Sequence, residues 1–314
     1  MTRELIKINT KKYVSRKMKL VVKNYQLYLI FLPVLLYYLI FHYAPMYGIQ
    51  IAFKKFSGAL GIWGSAWVGF DNFTRFFNSN YFLQLIWNTI SISLYSLIVS
   101  FPIPIILALM LNEVKGSKFK KLVQTVTYAP HFISTVVMAG MILLFLSPQS
   151  GVINKIIELL GKEPVNFMYE AKYFKTIYVF SGLWQNVGWS SIIYLSALSS
   201  IDPQQHEAAV IDGARRMQRI WHINIPGILP TITIMLILAF GGIMNVGFEK
   251  VFLLNNSLNR SSADVISTFV YRAGLIDHDF SFSTAVGLFN SVINLILLLI
   301  VNGITGKLNQ TTLF

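Results

Sequence analysis

The 314-residue chain contains no cysteine, which closes off both a disulfide framework and a thiolate metal site. Charge is scarce, at 12% of residues, about half the share of an ordinary soluble domain. Acidic residues number 13 against 26 basic ones. The acids are not clustered, and no paired carboxylates are spaced to act on a glycosidic bond. Glu249, Asp264, Asp277 and Asp279 are read as outer-surface or docking groups. The five histidines are scattered, so no metal site is expected. No G-x-x-x-x-G-K-[ST] loop is present to cradle phosphates; Gly151 to Lys162 has a faint likeness with the wrong spacing. Internal repeats, low-complexity tracts and an appended soluble domain are also missing.

Apolar residues fill the space these absences leave. They make up 54% of the chain and gather into long runs. A helix crossing the hydrocarbon core needs about 20 mostly apolar residues, and six stretches meet that length: roughly 25–47, 85–111, 125–146, 174–198, 228–247 and 284–306. The expectation is an all-α polytopic membrane protein with about six transmembrane helices. Pro102, Pro104 and Pro130 fall inside spans, where neighbouring helices can satisfy the freed backbone groups. Span four is the least apolar, interrupted by Gln185, Asn186 and Gly188. The first run is too long for a signal-peptide core and has no small-residue cleavage site after it, so it reads as a retained span.

The net charge of +13 does not point to nucleic acid, because no reading module accompanies it. Its placement points to topology instead. Arg3, Lys7, Lys11, Lys12, Arg16, Lys17, Lys19 and Lys23 precede the first span. The amino end, the 112–124 and 199–227 loops and the carboxyl tail together carry 16 Lys and Arg, against 10 in the longer segments between. The positive-inside rule therefore places both termini and the 199–227 loop in the cytoplasm. On this reading residues 1–24 form a basic cytoplasmic segment that can touch anionic head groups. Residues 25–314 form one transmembrane domain with its core at about 80–310. The outer connections, about 48–84, 147–173 and 248–283, can hold short helices and contact another protein.

One cytoplasmic loop has the marks of a docking element. Asp202 suits a helix N-cap, Pro203 the first helical position and Gln205 the third, a capping-box pattern. Glu207, Ala208 and Ala209 continue the helix, and Gly213 can end it in the left-handed conformation. A basic stretch with Arg215, Arg216 and Arg219 then leads through Ile223 to Pro226 and span five. A short capped helix with a small Ala face suits a groove on a partner. A plain surface connection between spans fits the residues equally well.

The loop resembles the hallmark of binding-protein-dependent import permeases: Glu207-Ala208-Ala209, then Gly213, then Ile223-Asn224-Ile225-Pro226, with Ile225 where Leu is usual. The resemblance continues through Asn112–Val114, Tyr128–Ser134, Gly188–Leu195, Asn245–Glu249, Asp264–Ile266, Val270–Arg272 and Ala285–Ser291, which are similar to the polysaccharide branch of carbohydrate permeases. It implies the type I permease fold of an ABC importer in a bacterial plasma (inner) membrane, with a coupling helix in the loop. Glu207, Ala208, Ala209, Asp212, Gly213 and Pro226 would dock on an ATPase. The partners implied are a second related permease, two cytoplasmic ATPase subunits that bring ATP and Mg, and an extracellular solute-binding protein. This chain would carry no cofactor and no catalytic residue of its own. The substrate class implied is oligosaccharide, with uronate-containing plant or algal fragments among the candidates.

Intramembrane polar groups are expensive and mark a candidate path for such a substrate. Tyr128 and His131 flank Pro130, Trp184 and Asn186 interrupt span four, Asn245 and Phe248 lie toward the end of span five, and Asn290 and Asn294 share a face of span six. Through the shared motifs Tyr128, His131, Trp184, Asn186 and the Asn245–Phe248 stretch fall near the positions that hold sugar in the similar maltose permease. The same groups could instead serve as hydrogen bonds between helices. Three other readings stay open at this point: an ion-coupled secondary transporter, a membrane-embedded enzyme on glycans or lipids, and an ABC importer for a non-sugar solute.

Overall fold

A computed structural model describes residues 23–309. Residues 1–22, and with them nearly all of the basic segment 1–24, lie outside the described residues. The first helix, α1 (Tyr25–Phe53), loosens through a π-type stretch at Leu39–Tyr43 and tightens to a 3₁₀ turn at its end. A two-residue antiparallel pair follows, β1 (Lys54–Lys55) with β2 (Ala66–Trp67), and then the short α2 (Asp71–Phe77). Helix α3 (Phe82–Glu113) has a turn residue at Phe101, after which Pro102 opens its second half. Next come α4 (Ser117–Phe132), α5 (Thr135–Phe145), α6 (Val152–Leu159) and α7 (Ala171–Ser199). The chain continues with α8 (Pro203–Ile211), α9 (Arg216–Gly241), α10 (Phe248–Leu254), α11 (Ile266–Ile276) and α12 (Phe280–Asn309).

Among the described residues four helices, α1, α3, α9 and α12, are long and apolar enough to cross a membrane, and α4 and α5 meet the same test only when taken together as one bent pair. Helix α7 is a different case. Its 29 residues rise about 43 Å, yet Gln185, Asn186 and several serines dilute its apolar content. It can carry them because it sits among α3, α4 and α9 rather than facing lipid all round. Each of the six expected spans thus has a helical counterpart.

Three expectations about the spans need correction. Span three is not one helix through 125–146: α4 and α5 meet at 100°, because Ser134 starts a new helix by accepting from Val137 N–H at 3.3 Å. Span five begins about three turns before Gly227, since the basic turn Arg216–Arg219 runs on without a break into the apolar helix. It also ends at Gly241, so Asn245 lies in the loop beyond it.

Among the described residues, buried side chains form three clusters. Ile92, Met138, Phe174, Val251 and Val265 centre one between α3, α5, α7 and α10. Phe76, Leu85, Phe269, Phe282 and Val286 centre a second, aromatic-rich one beneath α2 and α11. Ala108, Tyr194, Leu198 and Ile228 form a third at the end of the bundle that carries α8. Helices α4 and α7 touch backbone to backbone: a Cβ on Gly188 would lie 2.2 Å from the carbonyl oxygen of Thr127. Helix α1 has no buried residue through Met46 and stands away from these clusters.

Asp264, expected on the outer surface, is only 4% exposed. Its carboxylate pairs with the Arg272 guanidinium and accepts from Thr268 Oγ1 at 2.8 Å. Asn88 of α3 donates to the carbonyls of Ser261 and Asp264 at 2.9 and 3.0 Å. A buried charge must be paired and hydrogen-bonded to be tolerated, so this group pins the 260–272 segment onto α3.

Candidate functional site

The loop between α7 and α9 is built from its caps inward. Asp202 accepts from Gln204 N–H at 2.9 Å, capping the second amide of α8. The expected capping box with Gln205 is not formed: the short Asp side chain is satisfied one residue earlier, and the Gln205 amide bonds the Asp202 carbonyl at 3.1 Å. At the other end Gly213 has φ +79°. Its N–H bonds the Val210 carbonyl at 3.0 Å, while Ala214 N–H bonds that of Ala209 at 2.8 Å. This pair of bonds is a Schellman motif, which consumes the carbonyls a helix end leaves orphaned.

The helix so defined is held out from the bundle. None of its residues is buried; Glu207, Ala208, Asp212 and Gly213 are exposed, and Ala209 is half-buried. Val210 and Ile211 are 55% and 86% exposed, two apolar side chains presented to the surroundings. The loop is nonetheless anchored at both ends. Ile201 packs where a Cβ on Gly227 would sit, 2.6 Å from its Cδ1. Arg216 Nε lies 3.2 Å from Glu113 Oε2, tying the start of α9 to the end of α3. Pro226 is an exposed residue near the foot of α9, beyond a π-type stretch at Ile220–Asn224.

The intramembrane candidates fall into two groups. His131 Nδ1 donates to Asn186 Oδ1 at 3.0 Å, and its ring stacks on Trp189 with centroids 4.4 Å apart and planes 5° from parallel. Asn186 in turn donates to the Gly182 carbonyl at 3.0 Å. Tyr128 lies against α7 at Gly188, and Gln124 Nε2 donates to its hydroxyl at 3.3 Å. Trp184 does not join them: two residues from Asn186, it projects about 200° around the helix and is about half exposed. Trp189 was not singled out from sequence as a path residue. Its signal was its place one turn beyond Asn186, on the same face.

The second group gathers at the end of α9. Asn245 Oδ1 accepts from Asn290 Nδ2 at 3.0 Å and from Asn294 Nδ2 at 3.2 Å, while buried Asn294 accepts from Met244 N–H at 3.0 Å. These three amides therefore fasten the loop after α9 to α12. Phe248 stacks on Phe252 and leans on Tyr271, at 5.4 and 5.0 Å between centroids. Close by, the Tyr178 hydroxyl accepts from Gly247 N–H at 3.1 Å, and Lys250 Nζ donates to the Tyr178 carbonyl at 3.0 Å. Among the described residues no group of three or more His, Cys, Asp or Glu could hold a metal ion.

Comparison with known proteins gives this architecture a lineage. The profile of a family described as binding-protein-dependent transport system inner membrane component matches residues 100–310. Protein LplB of Bacillus subtilis (strain 168) is 46% identical over 288 residues, 92% of this chain and 91% of that protein. The polygalacturonan/rhamnogalacturonan transport system permease protein YteP of the same organism is 43% identical over 296 residues, 94% of this chain and 92% of its own length. Among solved structures, a chain in the crystal structure of a bacterial alginate ABC transporter, in complex with an alginate pentasaccharide-bound periplasmic protein, superposes with a TM-score of 0.87. It is 41% identical, with 94% of this chain and 99% of that one covered.

Proposed function

Because this chain belongs to the family of binding-protein-dependent transport system inner membrane components, we propose that it is the permease subunit of an ATP-driven importer for acidic, uronate-containing oligosaccharides. The observation that carries the reading is α8: a helix capped at both ends, showing Val210 and Ile211 outward and joined through Gly213 to a continuous 26-residue span. An apolar, preformed helix of this kind suits a cleft on a cytoplasmic ATPase. Closure of two such ATPases would move α8 and α9 together, shifting the membrane path between outward and inward access as a largely rigid body.

The assembly follows from the same reading. A second, related permease completes the path and covers apolar surface that α1 leaves open. Two ATPase subunits bind on the side of the 199–227 loop, which the excess of Lys and Arg puts in the cytoplasm with both termini. A solute-binding protein meets the opposite end, where α2, α11 and the Arg75–Asp279 ion pair lie. Glu207, Ala208, Ala209, Asp212, Gly213 and Pro226 serve coupling. His131, Asn186 and the Asn245 group, with Tyr128, Trp184, Phe248, Asn290 and Asn294, serve the path. The acidic substrate class draws support from the polygalacturonan/rhamnogalacturonan and alginate transporters among the relatives.

The test is to purify the complete complex and measure its ATPase with binding protein loaded by uronate or by neutral oligosaccharides. Stimulation by the uronate-loaded form is expected. Stimulation by no glycan at all would refute the substrate class.

A further inference from the structure

The second half of α3 (Pro102–Glu113) and the base of α9 enclose a groove of about 870 Å³, and none of its lining residues belongs to α8 or to the His131 and Asn245 groups. Its walls are apolar, with Ile106, Leu109 and Met110 on one side and Met217, Ile220 and Trp221 on the other. Ile106, Met110, Met217 and Trp221 are each more than half exposed. Contiguous apolar surface left open in this way marks an interaction site. At one end the lining turns polar, with Glu113, Lys115 and Arg216.

That end carries surplus positive charge. Glu113 is taken up by Arg216, whose Nε lies 3.2 Å from its Oε2. Lys115 is exposed and has no ion-pair partner among the described residues. Within three residues of Lys115 and Arg216 the sequence adds Lys118, Arg215 and Arg219, and Glu113 is the only acid. The dimensions are those of a lipid chain. Pro102–Glu113, 12 residues, rises about 18 Å, against about 15 Å for one leaflet's half of the hydrocarbon core. Trp221 at the rim has the amphipathic ring that membrane interfaces favour. An extended peptide would leave its backbone groups unpaired against these walls, whereas an acyl chain has none. An apolar helix of another subunit would cover the walls and leave the cations unanswered.

We infer that this groove binds one anionic phospholipid, with an acyl chain between α3 and α9 and the phosphate against Lys115 and Arg216. Guanidinium and ammonium groups both bind phosphate, and the apolar walls hold the chain. The site goes beyond the permease reading and does not depend on which solute is carried. Met217, Ile220 and Trp221 belong to the first turns of α9, so the lipid also bears on the helix that follows α8.

The test uses the complete complex in phosphatidylcholine vesicles that hold a small fraction of lipid brominated on its acyl chains. The brominated lipid is either phosphatidylglycerol or phosphatidylcholine. Bromine quenches tryptophan on contact, and the difference between wild type and Trp221→Phe isolates Trp221 from every other tryptophan of the complex. Phosphatidylglycerol should quench Trp221 at about one fifth of the mole fraction that phosphatidylcholine needs, the preference one unopposed cation confers. Lys115→Gln, at an exposed and unpaired position, should abolish that preference, and Lys115→Arg should keep it. Glu113→Gln, which releases Arg216, should raise it by about a further fivefold. A preference that survives Lys115→Gln would overturn the placing of the phosphate. Equal quenching by the two lipids would reduce the groove to ordinary boundary lipid, and quenching by neither would mean that another subunit fills it; each result overturns the site.

Discussion

Gly213→Val isolates the cap of α8 from everything around it. Nothing lies within 4 Å of a Cβ built at this position, so a new side chain meets open space and the whole penalty comes from the backbone. At φ +79° an L-residue pays about 1–2 kcal/mol, and a β-branched one falls at the upper end. Escaping to negative φ forfeits the bonds from Gly213 to Val210 and from Ala214 to Ala209, each contributing about 0.5–1.5 kcal/mol. Either route costs about 2 kcal/mol, which lowers the population of correctly ended α8 relative to its frayed form roughly thirtyfold. Gly213→Asn should lose much less, because Asn tolerates the left-handed region, and Gly213→Ala should fall between. The assay is sugar transported per ATP hydrolysed in proteoliposomes containing the whole complex. Coupling should decline in the order Gly, Asn, Ala, Val while insertion and assembly hold. A Val variant with wild-type stoichiometry and rate would show that the shape of this helix end is irrelevant to coupling.

Two further outcomes can be stated. Gly188→Ala puts a Cβ 2.2 Å from the Thr127 carbonyl and 2.8 Å from Tyr128 Cδ1; backbone cannot yield as a side-chain tip can, so a loss of about 3 kcal/mol should lower the melting temperature of the purified complex, and an unchanged melt would refute the close α4–α7 packing. Lys250, on α10 outside the spanning helices, has its pKa lowered by burial to about 8, so the unfolded chain binds more protons between pH 8 and 10.5 and stability must rise with pH across that window. The penalty, about 3 kcal/mol, is complete below pH 8 and gone above 10.5; Lys250→Met lacks it, and a wild-type-minus-Met difference that stays flat from pH 7 to 10 would contradict the burial.

What could be read in advance divides along physical lines. The apolar spans α1, α3, α9 and α12 announce themselves because lipid contact demands continuous apolar sequence. The ends of α8 were legible because Asp202, Pro203 and Gly213 each answer a local backbone need. The 100° break between α4 and α5 was not, since Pro130 signals a bend but its size is set by Ser134 capping a new helix and by α4 lying against Gly188. Asn245 was placed inside span five because hydropathy runs on past Gly241, whereas the helix stops at the glycine pair.

These parts also explain how a small surface helix can act deep in the membrane domain. Helix α9 starts three residues after Gly213 and runs 26 residues, about 39 Å, to Gly241. The loop beyond it is fastened to α12 by Asn245, Asn290 and Asn294. On the proposed coupling role, a push on α8 reaches that loop through one continuous rod. The rod has a soft point near its base, the π-type stretch Ile220–Asn224, where wide turns recur at functional positions. There Asn224 is fully buried with both amide atoms unpartnered among the described residues. A buried amide in that state favours any rearrangement that supplies it a partner. The base of α9 thus keeps unused hydrogen-bonding capacity, whereas its far end is fastened by three amides, and under the proposed coupling a motion begun at the loop passes along the helix to the Asn245 end.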